Sequence, residues 1–148
     1  MAATPASAKA TFHYERKFAA SPERVFRAWT RAQELNLWSS PSPTDARSEV
    51  ELRAGGRFSI AMEAPDGVTH LVSGVYREID PPRKLIYTWE WESIPGFPET
   101  LVTVEFRPRA NGGTDVVLTH EGLPDENART RHEHGWVLSL DKLSNLVG

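Results

Sequence analysis

Cysteine is absent from this chain, and methionine occurs only twice. The first absence excludes disulfides, thiolate nucleophiles and cysteine-based zinc sites, and it fits a reducing compartment. No apolar run approaches the roughly 20 residues that a membrane-spanning helix needs. Met1 to Ala10 also lacks the apolar centre of a secretory signal. A cytoplasmic location without a membrane partner is therefore expected. Excess positive charge is missing too. Lys plus Arg total 17 against 20 for Asp plus Glu, a formal net charge of −3, and the basic residues are scattered rather than massed. Nucleic acid is not an expected partner. Gly55-Gly56 and Gly112-Gly113 lack the Lys-Ser/Thr ending of a phosphate loop, and no His-Glu-x-x-His or Gly-x-Ser-x-Gly motif occurs. His132 and His134 would point about 200° apart on a helix, so they cannot share one ion. Neither a metal nor another cofactor is expected, and no catalytic residue can be named.

What is present describes an ordinary folded domain. The chain has 148 residues, 39% hydrophobic and 25% charged, values that point away from disorder and suit one domain. Residues 1–10 are Ala/Ser-rich without periodicity and are expected to be unstructured. The domain is placed at residues 11–148. Aromatic side chains are the informative excess, with five tryptophans at Trp29, Trp38, Trp89, Trp91 and Trp136.

Phe12, Tyr14, Arg16 and Phe18 alternate with polar residues, the period of a strand covered on one face. Ser21-Pro22-Glu23 has the chemistry of a helix start, and Thr30-Arg31-Ala32-Gln33 reads as a second start through a capping box. Two short helices are predicted, ending near Trp38. From Ser48 to Gly122, strands alternate with reversal points at Gly55-Gly56, Pro65-Asp66-Gly67, Asp80-Pro81-Pro82, Pro95-Gly96 and Asn111-Gly112-Gly113. Such spacing predicts an antiparallel meander. Phe58, Ile60 and Met62 share one face, as do Leu85, Tyr87, Trp89 and Trp91, then Val102, Val104 and Phe106, then Val116, Leu118 and His120. Residues on the opposite faces, Thr88 among them, are polar, as in a sheet solvated on one side. After Asp125 and Glu126, the residues Trp136, Leu140, Leu143 and Val147 fall at helical spacing, so a long C-terminal helix is expected to cover the sheet. Gly135 inside it suggests the close approach of another element or a ligand. The fold class is α+β.

The run RKFAASPERVFRAWTRAQELNLW from Arg16 to Trp38, then ELRAGGRF from Glu51, GVYREIDPPRKL from Gly74, TDVVLTHEG from Thr114 and the His134-Gly135-Trp136 triplet resemble, in that order, the family of homologues of the heat-shock-protein-90 ATPase activator. That family is a branch of the START-like superfamily, which includes birch-pollen-allergen-like proteins and polyketide cyclases. The resemblance implies a helix-grip fold, a curved antiparallel sheet around a long C-terminal helix, with two short helices closing one end of a hydrophobic cavity. Chaperone-activating members are longer chains with an additional N-terminal domain, for which this chain is expected to have no room.

The expected function is the binding of a small apolar or amphipathic molecule. Candidate wall residues are Trp38, Phe58, Ile60, Met62, Trp89, Trp91, Val102, Val104, His120, Trp136 and Leu140. The bland alternative is that Trp38, Phe58, Met62, Tyr87, Trp89, Trp91 and Trp136 fill a dry core. His120, inward-facing, is either a satisfied core histidine or a group that bonds a ligand or exchanges a proton. Arg16 pairs either with an acid of the chain or with a ligand carboxylate, because an unpaired buried charge is very costly. The stretch Ser93 to Pro98 is expected at the cavity mouth or in a dimer contact. A cyclase- or hydrolase-like enzyme and a chaperone-interacting protein are the alternative functions. A homodimer is expected from the frequency of such assemblies and from family habit.

Overall fold

Alternation along the strands decides which side of the sheet is covered, and the covering element arrives last in the chain. The computed structural model describes residues 9–63 and 66–148. The expected unstructured leader lies, over residues 1–8, outside this description, as does Pro65 of the expected turn. In chain order the elements are β1 (Ala10–Phe18), α1 (Pro22–Thr30), α2 (Ala32–Trp38), β2 (Arg47–Val50), β3 (Arg57–Glu63), β4 (Thr69–Asp80), β5 (Lys84–Trp91), β6 (Thr100–Pro108), β7 (Thr114–Leu123) and α3 (Glu126–Val147). The strands form one seven-stranded sheet in the order β1-β7-β6-β5-β4-β3-β2, with every neighbouring pair antiparallel. This is the α+β helix-grip arrangement: a curved sheet, two short helices and a long C-terminal helix.

Burial follows the predicted period. Phe12 and Phe18 of β1, Phe58, Ile60 and Met62 of β3, Leu85, Tyr87 and Trp89 of β5, Val102, Val104 and Phe106 of β6, and Val116, Leu118 and His120 of β7 are all buried. Thr88 departs from the expected solvated face. It is buried there because its hydroxyl accepts the Val75 N–H at 2.8 Å, beside the register shift between Tyr76 and Glu78. At this irregular stretch Gly74 lies tight against β5: a Cβ on it would stand 1.9 Å from the Thr88 carbonyl oxygen.

The helix ends have distinct causes. Ser21 caps α1 by accepting the Arg24 N–H at 3.2 Å, and Asp125 caps α3 by accepting the Ala128 N–H at 2.8 Å. The capping box predicted at Thr30 does not form. Thr30 is still inside α1, where its hydroxyl donates to the Phe26 carbonyl at 2.9 Å, and Arg31 starts α2 with no side-chain cap. At 22 residues, α3 is about 33 Å long and buries Trp136, Ser139, Leu140 and Leu143. Ser139 Oγ donates to the Ser39 carbonyl at 3.1 Å, and Lys142 Nζ donates to the Ser40 and Ser42 carbonyls, both at 2.9 Å. These bonds fasten the chain after α2 to α3. Among the described residues, no helix is long and apolar enough to cross a membrane.

Candidate functional site

Seven strands curved over one helix leave unequal space beneath them. Over β6 the gap is closed: Phe106 packs edge-on against Phe26 and Trp29 of α1, with ring centroids 5.3 and 5.5 Å away. Over β3, β4 and β5 it stays open as a cavity of about 430 Å³, inside the range of roughly 300–1,000 Å³ common for ligand sites.

Trp38, Phe58, Ile60, Met62, Trp89, Trp91 and Trp136, all predicted from the sequence, line this cavity together. Val102, Val104, His120 and Leu140 do not. They lie behind the wall, each 0% exposed, because α1 and α3 sit directly on β6 and β7. Arg16 is also outside the cavity. It sits on the edge strand β1 and pairs with Asp141 of α3, so the acid it was expected to need comes from the chain itself. Ile94 and Phe97 of the Ser93–Pro98 stretch reach the cavity beside Asp125, Asn127 and Arg131 at the start of α3. Since Ile94, Asp125, Asn127 and Arg131 are exposed, this end is the mouth. Trp29, Phe58, Tyr76 and Tyr87, each no more than 5% exposed, form the inner end.

His120 is held in a closed chain of hydrogen bonds. The Trp136 indole can only donate, so the His120 Nδ1 that receives it at 3.1 Å is unprotonated. The proton of the neutral ring is then on Nε2, donated to Thr100 Oγ1 at 2.8 Å, and the threonine hydroxyl donates to the Trp89 carbonyl at 2.7 Å. Both ring nitrogens are thereby engaged. Burial, reinforced by neighbouring His132, pushes the His120 pKa down to about 3, which keeps the ring neutral. A sealed, satisfied imidazole has no free atom for a ligand or a proton transfer.

His132 does line the cavity, although the sequence reading weighs it only as a metal ligand beside Glu133 and His134 and not as a wall residue. Its Nε2 accepts from the Trp91 indole at 2.9 Å, so its proton is on Nδ1, shared with the Ala128 carbonyl at 2.8 Å. Burial lowers its pKa, against a smaller opposing effect of that carbonyl, and nearby Arg131 lowers it further. The two imidazoles are 5.1 Å apart between centroids. Among the described residues no cluster of three or more metal-ligating side chains occurs.

Tyr76, Ser39 and His70 are wall residues that the sequence reading did not single out, and Tyr87, one of the aromatics weighed between dry core and cavity wall, lines it as well. Gly135 also lines the cavity, but the expected close approach of another element is not found. A Cβ there would meet Pro41 Cγ at 3.9 Å, an ordinary contact. Gly135→Ala is accordingly expected to stabilise the protein by about 0.8–1.0 kcal/mol, the helix-propensity difference. Urea unfolding of the two proteins checks this, and a loss of stability would mean that the helix face is tighter than the geometry indicates.

The family model described as "Activator of Hsp90 ATPase homolog 1-like protein" matches residues 19–148. No curated protein matches the chain. Among solved structures, a Chromobacterium violaceum protein is 29% identical, with a TM-score of 0.85, over 93% of this chain and 96% of that one. An AHSA1 protein from Silicibacter pomeroyi is 28% identical, with a TM-score of 0.81, over 92% and 96%. An HSP90 activator from Plasmodium falciparum is 26% identical, with a TM-score of 0.77, over 93% and 96%.

Proposed function

We propose that this chain, which belongs to the Activator of Hsp90 ATPase homolog 1-like family, binds a small apolar or amphipathic molecule between its sheet and α3. The supporting observation is the cavity of about 430 Å³ walled by Trp29, Trp38, Phe58, Trp89, Trp91 and Trp136. Aromatic faces there gain from leaving water, by roughly 25 cal/mol per Å² of apolar surface covered. The polar residues at the mouth, Asp125, Asn127 and Arg131, suit the head of an amphipathic guest. Binding is favoured over turnover because His120, the one acid or base suggested by sequence, has both nitrogens engaged inside the wall. The protein would do this work in the cytoplasm, in keeping with its lack of cysteine.

Native mass spectrometry of freshly purified protein tests the reading. A mass increment that survives gentle ionisation and disappears on denaturation is expected. Bare protein that also fails to take up any apolar probe would dismiss it. The same spectrum gives the subunit number, and a monomer at micromolar concentration would remove the homodimer expectation.

A second reading is an interaction with the host Hsp90, prompted by the likeness to the Plasmodium falciparum HSP90 activator over 93% of this chain. Calorimetric titration of the chaperone into the protein should then give saturable heat, and its absence removes this reading without touching the first.

A further inference from the structure

The inner end of the cavity contains two phenol groups whose hydrogens have no acceptor among the described residues. Tyr76 of β4 and Tyr87 of β5 are register partners across the two strands, with ring centroids 6.1 Å apart at 74°. Tyr87 receives the Trp29 indole N–H on its oxygen at 3.1 Å. That bond uses a lone pair and leaves the phenolic hydrogen free. Tyr76 Oη makes no hydrogen bond among the described residues, yet it is not one of the sealed, unpartnered atoms, which are Ser39 Oγ and Trp89 Nε1. It therefore keeps access to open space, and the residue lines the cavity while being only 4% exposed. Ser39 and Trp89 belong to the same wall. The unpartnered atoms of those two residues are sealed from it, so the donors that the inner end of an otherwise apolar chamber offers a guest are the two phenols. A guest that covered these donors without accepting from them would incur about 1–3 kcal/mol for each, a penalty that a guest oxygen avoids.

Resting on the cavity-binding reading above, we propose that the guest is a carbonyl-bearing aromatic or similarly flat apolar molecule, inserted oxygen-first, whose carbonyl accepts hydrogen bonds from Tyr76 and Tyr87. Each residue has its own part in this. Phe58 packs on both tyrosines, at 5.6 Å on Tyr76 and 5.2 Å on Tyr87, and fixes their rings. Trp29 orients the Tyr87 oxygen. Burial pushes both phenol pKas up, so the groups remain protonated donors throughout the neutral range. The polar mouth, some distance away in exposure and in sequence, is left for whatever second polar group the molecule carries.

The test uses two probes of similar shape, 2-acetylnaphthalene and 2-isopropylnaphthalene, titrated into the intact protein and followed by tryptophan fluorescence. Tyr76→Phe is the primary variant, because it removes a hydroxyl with no partner among the described residues and is expected to leave the fold intact. Tyr87→Phe is the secondary one, since it also deprives the Trp29 indole of its acceptor. Tyr76→Phe is expected to weaken the ketone about five-fold, the worth of one ordinary hydrogen bond, and to leave the hydrocarbon unchanged. The ketone's infrared carbonyl band should shift to lower frequency on binding to the native protein and recover part of that shift in the variant. If both probes bind and both are indifferent to Tyr76→Phe, the carbonyl proposal is overturned while cavity binding stands. If neither probe binds, this proposal falls, whereas cavity binding stands or falls with the native mass spectrum.

Discussion

Replacing Gly74 with alanine is expected to destabilise the protein by about 3 kcal/mol, the upper end of the usual cost of overpacking. The added Cβ would stand 1.9 Å from the Thr88 carbonyl oxygen, 2.7 Å from its carbonyl carbon and 2.5 Å from Phe58 Cε1. The first two are backbone atoms of a paired strand, and they cannot turn aside as a flexible side-chain tip can. Relief requires β4 and β5 to separate where β4 is already irregular, next to the Thr88 bond to Val75. For a chain of this size the melting temperature should fall by roughly 6–12 °C. Gly135→Ala is the matched control, because the same methyl group there meets only ordinary contact. Equal stability of Gly74→Ala and the native protein would mean that the strands are not held this close. The consequence reaches the cavity, since Tyr76 and Phe58 are positioned by the same stretch.

The second large effect is loss of stability in mild acid. The His120 pKa is depressed from 6.5 to about 3 in the folded protein, whereas in the unfolded chain it returns to the ordinary value. Below pH 6.5 the unfolded state therefore binds the proton that the folded state refuses. This histidine's contribution is complete above that pH and is lost progressively as the pH falls from 6.5 towards 3. The slope is about 1.4 kcal/mol per pH unit for each such histidine. His132 shifts in the same direction and adds to the slope. Urea unfolding at pH 7, 6 and 5 isolates this, because ordinary carboxylates titrate mostly below that window. His120→Gln retains one donor and one acceptor and should flatten the profile by one histidine's share. A native profile that is level from pH 7 to 5 would contradict the sealed, neutral imidazole.

What the sequence made legible follows from which patterns are local. Alternation in β3, β5, β6 and β7 identified the covered face residue by residue, and the apolar spacing around Trp136 and Leu140 identified its cover. Alternation gives the face, however, and not the distance to the helix above it. Val102, Val104 and His120 point the same way as Phe58 and Trp89, but the former are sealed beneath their neighbours while the latter border open space. Three elements meet at His120: Thr100 begins β6, Trp136 lies on α3 and Trp89 on β5, so no sequence window contains the circuit. Tyr76 was missed for another reason. Gly74 and the bulge before Glu78 interrupt the period of β4, which removes the one signal that would have marked an inward tyrosine. Thr30 shows the limit of a local motif, because the capping pattern was present while the preceding helix still claimed the residue. Arg16 was read correctly as needing an acid, but its partner Asp141 is 125 residues away.

Binding of any guest requires the space between β3–β5 and α3 to be open and apolar enough to accept it. Diffraction from crystals pressurised with xenon tests this most directly, because dry apolar cavities take up this gas. Xenon density is expected among Trp29, Phe58, Tyr87, Trp89 and Trp136, with those side chains in place. Contradiction would be the same region closed by its own side chains, with no xenon and no other electron density between them.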